Sequence, residues 1–392
     1  MSERLDDVLK SELSCLREKD LYHHVNILQG PQAARVRMDG REVVMLSSNN
    51  YLGLANHPKV VEAAKAALDK YGNGTAAVRF ISGTLDLHRR LEAKIAEFLG
   101  MDAALVYISA MSANMGLIPA LLDEQDAVFS DGLNHASIID GIRLSKARRH
   151  IYTHGDMGAL AKDLGEDAGA RLKMVITDGV FSMEGDTAKL PEMTALAKKA
   201  GAFTVVDDSH ATGVLGKTGR GTPEHFGVAV DIVTGTLGKA LGGACGGFAA
   251  GSAAVIEYLT QRSRPYIFSN GLPPAVAGSA IAALEIISRD PSPREALWKN
   301  TRYFRNEITR LGFRVPAGDH PIIPVIVKET AAAHAMSRAL FEEGIFVSGF
   351  GYPVVPKGEA RLRVQISAAH AREDLDFALE AFVKAGRATG LV

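Results

Sequence analysis

The sequence predicts an α/β fold built on a mainly parallel sheet, and three observations lead to this prediction. From about residue 58, stretches with helical spacing alternate with short strand-like runs. Those runs are short and rich in β-branched residues, as expected for strands that helices cover on both faces. With 392 residues, the chain is also too long for one ordinary core and calls for a second, smaller unit.

The first part of the chain precedes this alternation. Residues 2–20 have helical spacing, with leucine and valine side chains on one face. A glycine turn at Asp39-Gly40 then separates two strand-like runs at 34–38 and 42–46. We expect residues 1–45 to form an N-terminal arm.

The alternating region should form a large domain over residues 46–270. Its predicted helices are 58–71, 85–99, 112–122, 136–145, 157–165 and 191–200, and its predicted strands are 104–107, 127–129, 173–177 and 202–206. After residue 270, long helices at 274–289 and 293–311 lead to strands at 322–327, 345–348 and 361–365, with helices at 330–343 and 371–387. Residues 271–392 are therefore predicted to form a smaller C-terminal α/β domain.

Composition and charge narrow the function. The formal net charge of −1 gives the chain no attraction to nucleic acid or to an anionic membrane. The N-terminus lacks the apolar stretch of a signal peptide, and no apolar segment approaches membrane-spanning length. Cys15 and Cys245 are too few for a disulfide framework and have no metal-site spacing; Cys245, in a glycine-rich run, is expected to be buried. We expect a cytoplasmic protein without a metal.

Lys239 lies in a loop of unusual composition. An apolar run at 230–233 precedes it, and the segment Gly235–Gly243 around it consists almost entirely of small residues. Such a loop offers almost no counter-charge, so the pKa of Lys239 should be lowered and its neutral amine reactive. The alternative is a surface lysine on a flexible glycine loop.

A second stretch, one strand earlier, supports the reactive amine. The apolar residues before Asp207 should leave its carboxylate partly buried and in need of a cationic partner. A protonated pyridine nitrogen would be that partner, and His210 could reach the ring oxygen of the same group. A helix N-cap is the alternative for Asp207, although Asp208 is better placed to cap. With Lys239 binding its aldehyde, the cofactor indicated is pyridoxal phosphate.

Other polar clusters should meet at the same edge of the sheet. In a doubly wound sheet, ligands collect at the carboxyl ends of the strands. Five clusters fall there: Ser109–Asn114, Ser130–Ser137, Asp178–Glu184, Asp207–His210 and Thr234–Lys239. The first opens a helix whose backbone N–H groups would make a phosphate cup, which Ser182, Thr236 and Lys239 could complete. No Walker or Gly-x-Gly-x-x-Gly pattern is present, which argues against a nucleotide cofactor.

Two more side chains could act on the reactants. His135 begins a helix and could lie flat against the pyridine ring and touch a substrate carboxylate; an ordinary capping turn is the alternative. Arg361 and Arg363 share one face of a strand, where a guanidinium could bind an α-carboxylate in bidentate fashion. A solvated edge strand is the alternative for that segment. The rigid, apolar stretch 352–356 before it could form a lid over the site.

These motifs carry a resemblance to a known family. The chain resembles, nearly end to end, the α-oxoamine synthase family of fold-type I pyridoxal phosphate enzymes. It is most similar to the members that condense glycine with acetyl-CoA. The matching segments are Asn49–Leu54, Ser130–Ser137, Asp178–Met183, Asp207–His210, the Lys239 loop, Arg262–Asn270 and Tyr352–Lys357 running on to Arg363.

The resemblance implies roles for individual residues. Lys239 would hold the cofactor and move the α-proton of the substrate, while Arg363 would bind the substrate carboxylate. The remaining roles are pairing the ring nitrogen (Asp207), contacting the ring oxygen (His210), stacking on the ring (His135), holding the phosphate (backbone at Ala110 and Met111, with Ser182 and Thr236), reaching the phosphate of a neighbouring subunit (Ser269 and Asn270) and positioning the reacting atoms (Asn49).

The resemblance also implies a fold and a reaction. The fold would be a large domain with a mainly parallel, seven-stranded sheet and a smaller C-terminal domain, in a homodimer with shared active sites. The reaction would join glycine to the acetyl group of acetyl-CoA, giving 2-amino-3-oxobutyrate and CoA, and would run in reverse as a cleavage.

This chain departs from the family at the phosphate turn, where Ala110-Met111 replaces a small residue followed by an aromatic one. The backbone cup should survive, but the volume beside the cofactor changes, because methionine is flexible. Residues 74–79 also differ slightly from the pattern. A sibling enzyme with another acyl thioester or amino acid, with or without decarboxylation, is therefore the alternative, and a non-catalytic protein of the same fold is a third hypothesis.

Overall fold

The computed structural model describes residues 3–19, 21–22 and 24–391. Its centre is a seven-stranded sheet in the order β3-β9-β8-β7-β6-β4-β5. These strands are β3 (Ala103–Tyr107), β4 (Ala127–Asp131), β5 (Arg148–Tyr152), β6 (Lys173–Asp178), β7 (Phe203–Asp207), β8 (Ile232–Thr236) and β9 (Gly247–Gly251). Only β9 runs antiparallel to its two neighbours. The predicted α/β fold with a mainly parallel, seven-stranded sheet is confirmed.

Helices cover both faces of this sheet. The helices of the first part of the chain are α1 (Glu3–Glu18), α2 (Pro58–Tyr71), α3 (Asp86–Leu99), α4 (Ala110–Leu121), α5 (Ala136–Leu144), α6 (Met157–Glu166), α7 (Leu190–Lys199), α8 (Thr222–Phe226), α9 (Ala253–Arg262) and α10 (Arg264–Ile267). The central strands are buried along almost their whole length, because two apolar clusters pack on opposite faces of the sheet.

The C-terminal part follows the predicted pattern of long helices and then strands. Its elements are α11 (Pro274–Arg289), α12 (Ser292–Arg310), β10 (Ile322–Lys328), α13 (Thr330–Glu342), β11 (Ile345–Phe346), β12 (Ser348–Phe350), β13 (Ala360–Gln365) and α14 (Arg372–Thr389). Strand β13 lies between β10 and β12 and is antiparallel to both. Helix α13 packs on this second sheet and against α14. Arg363 of β13 reaches the backbone carbonyl of Ser182, in the loop that follows β6 of the large sheet.

The N-terminal region joins the C-terminal one through a third sheet. Strands β1 (Arg35–Met38) and β2 (Arg41–Met45) form a hairpin, and β2 pairs in parallel with β11. Helix α1 leaves its leucine and valine side chains exposed; the ends of the predicted helix at residues 2 and 20 lie outside the described residues. The division into an arm and two domains stays a prediction.

Two further observations concern the whole described chain. Among those residues, no helix combines the length and the apolar character needed to cross a bilayer. Nor does any group of three histidine, cysteine or acidic side chains in that part of the chain have a geometry for a metal ion. Cys245 was expected to be buried, but it is exposed, because it lies in the turn that leaves the sheet between β8 and β9.

A glycine lets α4 begin close against the sheet. A methyl group added at Gly247, the first residue of β9, would lie 2.2 Å from the backbone nitrogen of Ala110 and 2.4 Å from the carbonyl carbon of Ser109. Those are backbone atoms, so no side chain could move aside. Gly247 therefore fixes where the first turn of α4 lies against β9.

We predict that Gly247→Ala destabilises the protein by about 1–3 kcal/mol, because the added methyl group forces the start of α4 away from the sheet. Urea unfolding followed by circular dichroism would measure the loss. Gly165→Ala is the matched control: Gly165 lies in α6 with no atom within 4 Å of an added methyl group. It should leave stability unchanged or raise it by up to about 1 kcal/mol. Equal effects of the two substitutions would contradict the close approach.

Candidate active site

Five strand ends converge at one edge of the large sheet. The carboxyl ends of β3, β4, β6, β7 and β8 all face this edge, since β9 alone runs in the opposite direction. The polar clusters that follow these strands in the sequence are therefore brought together.

Lys239 follows β8 in a turn of small residues. Burial by the surrounding protein lowers the pKa of Lys239 from 10.5 to about 8; the carboxylates of Asp207 and Asp178 oppose the shift and Arg363 adds to it. Within the described part of the chain, its Nζ forms no hydrogen bond or ion pair. A substantial fraction of the amine is thus neutral near pH 8, as a nucleophile or a proton acceptor requires.

Asp207 ends β7 and is buried. Its carboxylate accepts hydrogen bonds from Nδ2 of Asn114 at 2.6 Å and from the backbone N–H of Ser209 at 2.9 Å. Both donors are neutral, so the buried carboxylate has hydrogen bonds but no ion pair with any residue that the structure describes. A cation is the partner that this carboxylate lacks.

Asn114, on α4, was quoted within a polar cluster of the sequence but was given no role there. It is fully buried and connects three elements. Its Nδ2 also donates to Oγ of Ser137 at 2.9 Å, and its Oδ1 accepts from Oγ1 of Thr234 at 2.8 Å. Because an asparagine inside a helix gives no signal of its own, its role becomes visible only in the fold.

Asp208 points away from this group. Its carboxylate accepts from the backbone N–H of Thr222 at 2.8 Å and from the Thr222 hydroxyl at 2.6 Å, at the start of α8. Burial raises its pKa to about 7. The capping role expected for Asp208 thus applies to a helix distant in sequence, and Asp207 is the acid that faces the site.

His135 immediately precedes α5 and is exposed. Its Nδ1 lies 2.8 Å from Oγ of Ser137 and accepts from the Ser137 N–H, so the histidine itself caps the helix. Its backbone N–H donates to the buried carboxyl of Asp178 at 2.7 Å. The protein around the ring lowers the pKa of His135, which favours the neutral imidazole. Burial, and next the charge of Asp207, raise the pKa of Asp178 well above its usual range.

His210 is buried, and its ring contacts Tyr51. Nδ1 of His210 lies 2.8 Å from the Tyr51 hydroxyl, and the two rings meet edge to face. The backbone carbonyl of His210 accepts a hydrogen bond from Nε2 of His320 at 3.0 Å. Burial lowers the pKa of His210 well below its usual range and lowers that of His320 to about 3. Both imidazoles are therefore neutral.

Arg363 reaches the site from β13. One of its terminal nitrogens donates to the backbone carbonyl of Ser182 at 3.2 Å and the other to Oε1 of Gln365 at 3.3 Å. Its Nε is buried without a partner in the described part of the chain. Arg361, on the same face, instead pairs with Glu184 at 3.3 Å. Of the two arginines, Arg363 is the one available to an anion.

The expected phosphate cup lies at the start of α4. Ser109 caps the helix by accepting from the Ser112 N–H at 3.0 Å. No group in the described residues accepts the N–H of Ala110 or of Met111, which are the first two of α4. The hydroxyl of Thr236 accepts from the Gly238 N–H and donates to a carbonyl at Gly246, within the loop around Lys239.

Two predicted residues lie apart from this group within the chain. Ser269 and Asn270 follow α10, and Asn270 forms a β-bridge with Val78. In the described chain, neither forms a hydrogen bond with the residues around Lys239. Their predicted role, reaching the site of a neighbouring subunit, stays a prediction.

The residues present fit pyridoxal phosphate. The buried Asp207 carboxylate has no ion pair among the described residues, the Lys239 amine is deprotonated easily, and the first N–H groups of α4 are free to bind an anion. These three features match the ring nitrogen, the aldehyde and the phosphate of that cofactor.

A positively charged histidine, His154, bridges two carboxylates near the carboxyl ends of β4 and β6. Nδ1 of His154 lies 3.0 Å from Asp131 and its Nε2 lies 3.0 Å from Asp186. Carboxylates only accept hydrogen bonds, so both ring nitrogens must carry protons. Hydrogen bonds to the two carboxylates raise the pKa of His154 from 6.5 to about 10. The imidazolium thereby ties the end of β4 to the loop that follows β6.

We predict that His154→Gln lowers the free energy of unfolding by about 2 kcal/mol at pH 6. Because the pKa is higher in the folded protein, this contribution is complete below about pH 6.5 and declines as pH rises toward 10. Urea unfolding of both proteins at pH 6, 8 and 10.5 should show the difference shrinking. His24→Gln, at an exposed histidine, is the control. A loss of unfolding free energy in His154→Gln that did not change with pH would contradict the charged bridge.

Comparisons with known proteins agree with this geometry. The family model for aminotransferase class I and II matches residues 41–382. The chain is 50% identical to an 8-amino-7-oxononanoate synthase of Symbiobacterium thermophilum, over 99% of this chain and 100% of the relative. It is 49% identical to the 2-amino-3-ketobutyrate coenzyme A ligase of Escherichia coli, over 98% of each. A high-resolution structure of SPT with PLP superposes with a TM-score of 0.92, at 33% identity and 98% coverage of each chain.

Proposed function

Because the chain belongs to the class I and II aminotransferase family and, within it, to the α-oxoamine synthases, we propose that it condenses glycine with acetyl-CoA. The products would be 2-amino-3-oxobutyrate and CoA, and the reverse cleavage would use the same site, as in a glycine C-acetyltransferase. Family membership makes the protein a pyridoxal phosphate-dependent C-acyltransferase. The choice of glycine and acetyl-CoA is the further step.

One observation carries the proposal: Arg363 lies near enough to Lys239 for its charge to lower the pKa of the amine, at a site whose buried carboxylate suits a pyridine nitrogen. A guanidinium beside a reactive amine fits a substrate with an α-amino group and an α-carboxylate. The choice of acetyl-CoA is supported by the similarity to the E. coli ligase and by the segments 262–270 and 352–357.

Four residues of the chain would act directly on the cofactor and the amino acid. Pyridoxal phosphate, when bound, supplies a ring that accepts the charge left on the amino acid when its α-proton departs. Lys239 would bind the cofactor aldehyde, and its amine, with a pKa near 8, would later take and return the α-proton. Asp207 would keep the ring nitrogen protonated, Arg363 would bind the carboxylate of the amino acid, and Asn49 would help to position the reacting atoms.

The surrounding residues would position the cofactor. His135 would stack on the pyridine, and His210 would contact the ring oxygen. The phosphate would bind the N–H groups of Ala110 and Met111, with Ser182 and Thr236 beside it.

We also propose a homodimer with shared sites. Large apolar side chains are exposed around the turn that holds Ser269 and Asn270: Phe80, Ile81 and Phe268 are each more than 60% exposed. An apolar patch of this kind marks an interaction surface. A second subunit would cover it and bring Ser269 and Asn270 to the phosphate of the partner site. The proposed compartment is the cytoplasm, where the free thiols of Cys15 and Cys245 would persist.

A second candidate reaction has its own support. The relative from S. thermophilum is named for 8-amino-7-oxononanoate, and Met111, 44% exposed, stands where the family usually has an aromatic residue. The structure of that product defines its precursors: C8 and C9 come from alanine after loss of its carboxylate, and C1 to C7 from a seven-carbon acyl group with a terminal carboxylate. That reaction releases carbon dioxide, whereas formation of 2-amino-3-oxobutyrate keeps every carbon of glycine.

We predict that Lys239→Ala abolishes covalent attachment of the cofactor and lowers the rate at least a thousandfold, because both the attachment point and the proton carrier are lost. The visible absorption of the purified protein and the rate of CoA release would measure both effects. Lys198→Ala, an exposed lysine on α7, is the control. Undiminished turnover by Lys239→Ala would refute the assignment.

We predict that the enzyme prefers glycine with acetyl-CoA by at least about tenfold in kcat/KM over alanine with a seven-carbon dicarboxylic thioester. CoA release would be followed with both amino acids and both thioesters. Release of carbon dioxide is not used as a readout, because 2-amino-3-oxobutyrate is a β-keto acid and loses carbon dioxide in solution by itself. A higher kcat/KM for glycine with acetyl-CoA supports the proposal, whereas a higher kcat/KM for alanine with the seven-carbon thioester would replace it with the second candidate.

A further inference from the structure

Gln365 ends β13 at the centre of the site and has no role in the proposed reaction. It is buried, and its amide contacts three residues. Oε1 accepts from Arg363 at 3.3 Å, while Nε2 donates to Oδ1 of Asn49 at 2.5 Å and to the Tyr51 hydroxyl at 3.1 Å. A rotated amide would turn its NH₂ toward the guanidinium and its carbonyl toward Asn49, so these contacts fix the orientation.

The fixed amide determines where the Tyr51 proton lies. The hydroxyl is fully buried, and within the described residues its two polar neighbours are Nε2 of Gln365, which is a donor, and Nδ1 of His210 at 2.8 Å. The hydroxyl therefore accepts from Gln365 and donates to His210. Burial raises the pKa of Tyr51 to about 12, so it keeps this proton at any working pH.

The Tyr51 proton in turn determines the tautomer of His210. A ring whose Nδ1 accepts a hydrogen bond carries its proton on Nε2 when it is neutral. The pKa of His210 is low because the ring is buried, and the nearby groups Lys239, His320, Arg363 and His135 all lower it further.

His320 holds the backbone of His210 in place. Its Nδ1 accepts from the Ile322 N–H at 3.1 Å, so its Nε2 is the donor to the His210 carbonyl. The hydrogen bond from His320 thus holds the backbone of His210, and the hydrogen bond from Tyr51 sets the tautomer of its ring.

We propose that Gln365 is a positioning residue that sets the tautomer of His210 and joins it to Arg363 and Asn49. The chain of contacts runs from the guanidinium through the Gln365 amide and the Tyr51 hydroxyl to the imidazole. Nε2–H of His210 is then a hydrogen-bond donor for the ring oxygen of the cofactor. The link to amino acid binding rests on the proposed function, whereas the tautomer does not.

Two substitutions test this proposal in the full-length protein with pyridoxal phosphate bound. Gln365→Met keeps a similar volume but removes the amide, so Tyr51 and Arg363 lose a partner. Gln365→Glu keeps the shape but places an acceptor where Nε2 was. In that variant, Tyr51 should donate to the new carboxylate and His210 should carry its proton on Nδ1. Gln261→Met, on an exposed side chain of α9, is the matched control.

The tautomer is the first measurement. The ¹⁵N resonances of the His210 ring, identified by their loss in His210→Asn, report which nitrogen carries the proton. The original protein should show a protonated Nε2, Gln365→Met a mixture and Gln365→Glu a protonated Nδ1. A protonated Nδ1 in the original protein, or the same tautomer in all three proteins, would overturn the proposal. If Gln365→Met does not fold, Gln365→Glu decides alone.

The kinetic constants are the second measurement. In Gln365→Met, KM for glycine should rise about tenfold, because Arg363 and Asn49 lose their brace, while KM for acetyl-CoA stays within about twofold. Equal changes in both constants would show a general structural role and refute the link to amino acid binding. Failure of the proposed function would look different: no glycine-dependent release of CoA from any variant, with the tautomers still as expected.

Discussion

The buried carboxylate of Asp207 is the constraint on which the rest of the site depends. Taking this charge out of water is costly, and among the described residues only neutral donors, Asn114 and the Ser209 N–H, form hydrogen bonds with it. Asn114 can serve it because Ser137 and Thr234 hold the remaining groups of its amide. One carboxylate thus sets the relative positions of α4, the start of α5 and the end of β8. The same burial that makes Asp207 a good partner for a cation also keeps the Lys239 amine reactive.

Much of the large sheet could be predicted because its central strands are continuous β-branched runs between helices. Three of its seven strands were not among those predicted; for β8, only the apolar run at 230–233 was noted. Strand β5 has the charged, partly exposed sequence of an edge strand, and β9 is Gly-Phe-Ala-Ala-Gly, whose small residues give no strand signal. The pattern used for prediction, a short β-branched run between two helices, identifies strands that are buried on both faces. A partly exposed edge strand, or a strand of small residues that packs against the backbone of a helix, does not show this pattern.

Some residues of the site could likewise be predicted from the sequence, and others could not. The roles of Lys239, Asp207 and His135 could be predicted, because each lies at or just after the end of a strand. The parallel topology then places these strand ends at one edge of the sheet. Tyr51 and Gln365 could not, since they lie on segments far apart in the sequence and meet only when β13 packs against the turn after β2. The alternation Arg361, Arg363, Gln365 did contain a signal: all three share one face of the strand. The hydrogen bonds from Gln365 to Asn49 and Tyr51, however, join residues that are far apart in the sequence and form only in the folded protein.

At the start of α4, the groups that could bind a phosphate are distinct from the side chain that shapes the neighbouring space. The groups available to a phosphate at Ala110 and Met111 belong to the backbone and are held by Gly247, whereas the Met111 side chain projects freely and is 44% exposed. A change of side chain at this position leaves the anchor intact while reshaping the space beside it. A replacement of Met111 should therefore alter the space beside α4 without removing the backbone N–H groups that an anion would bind.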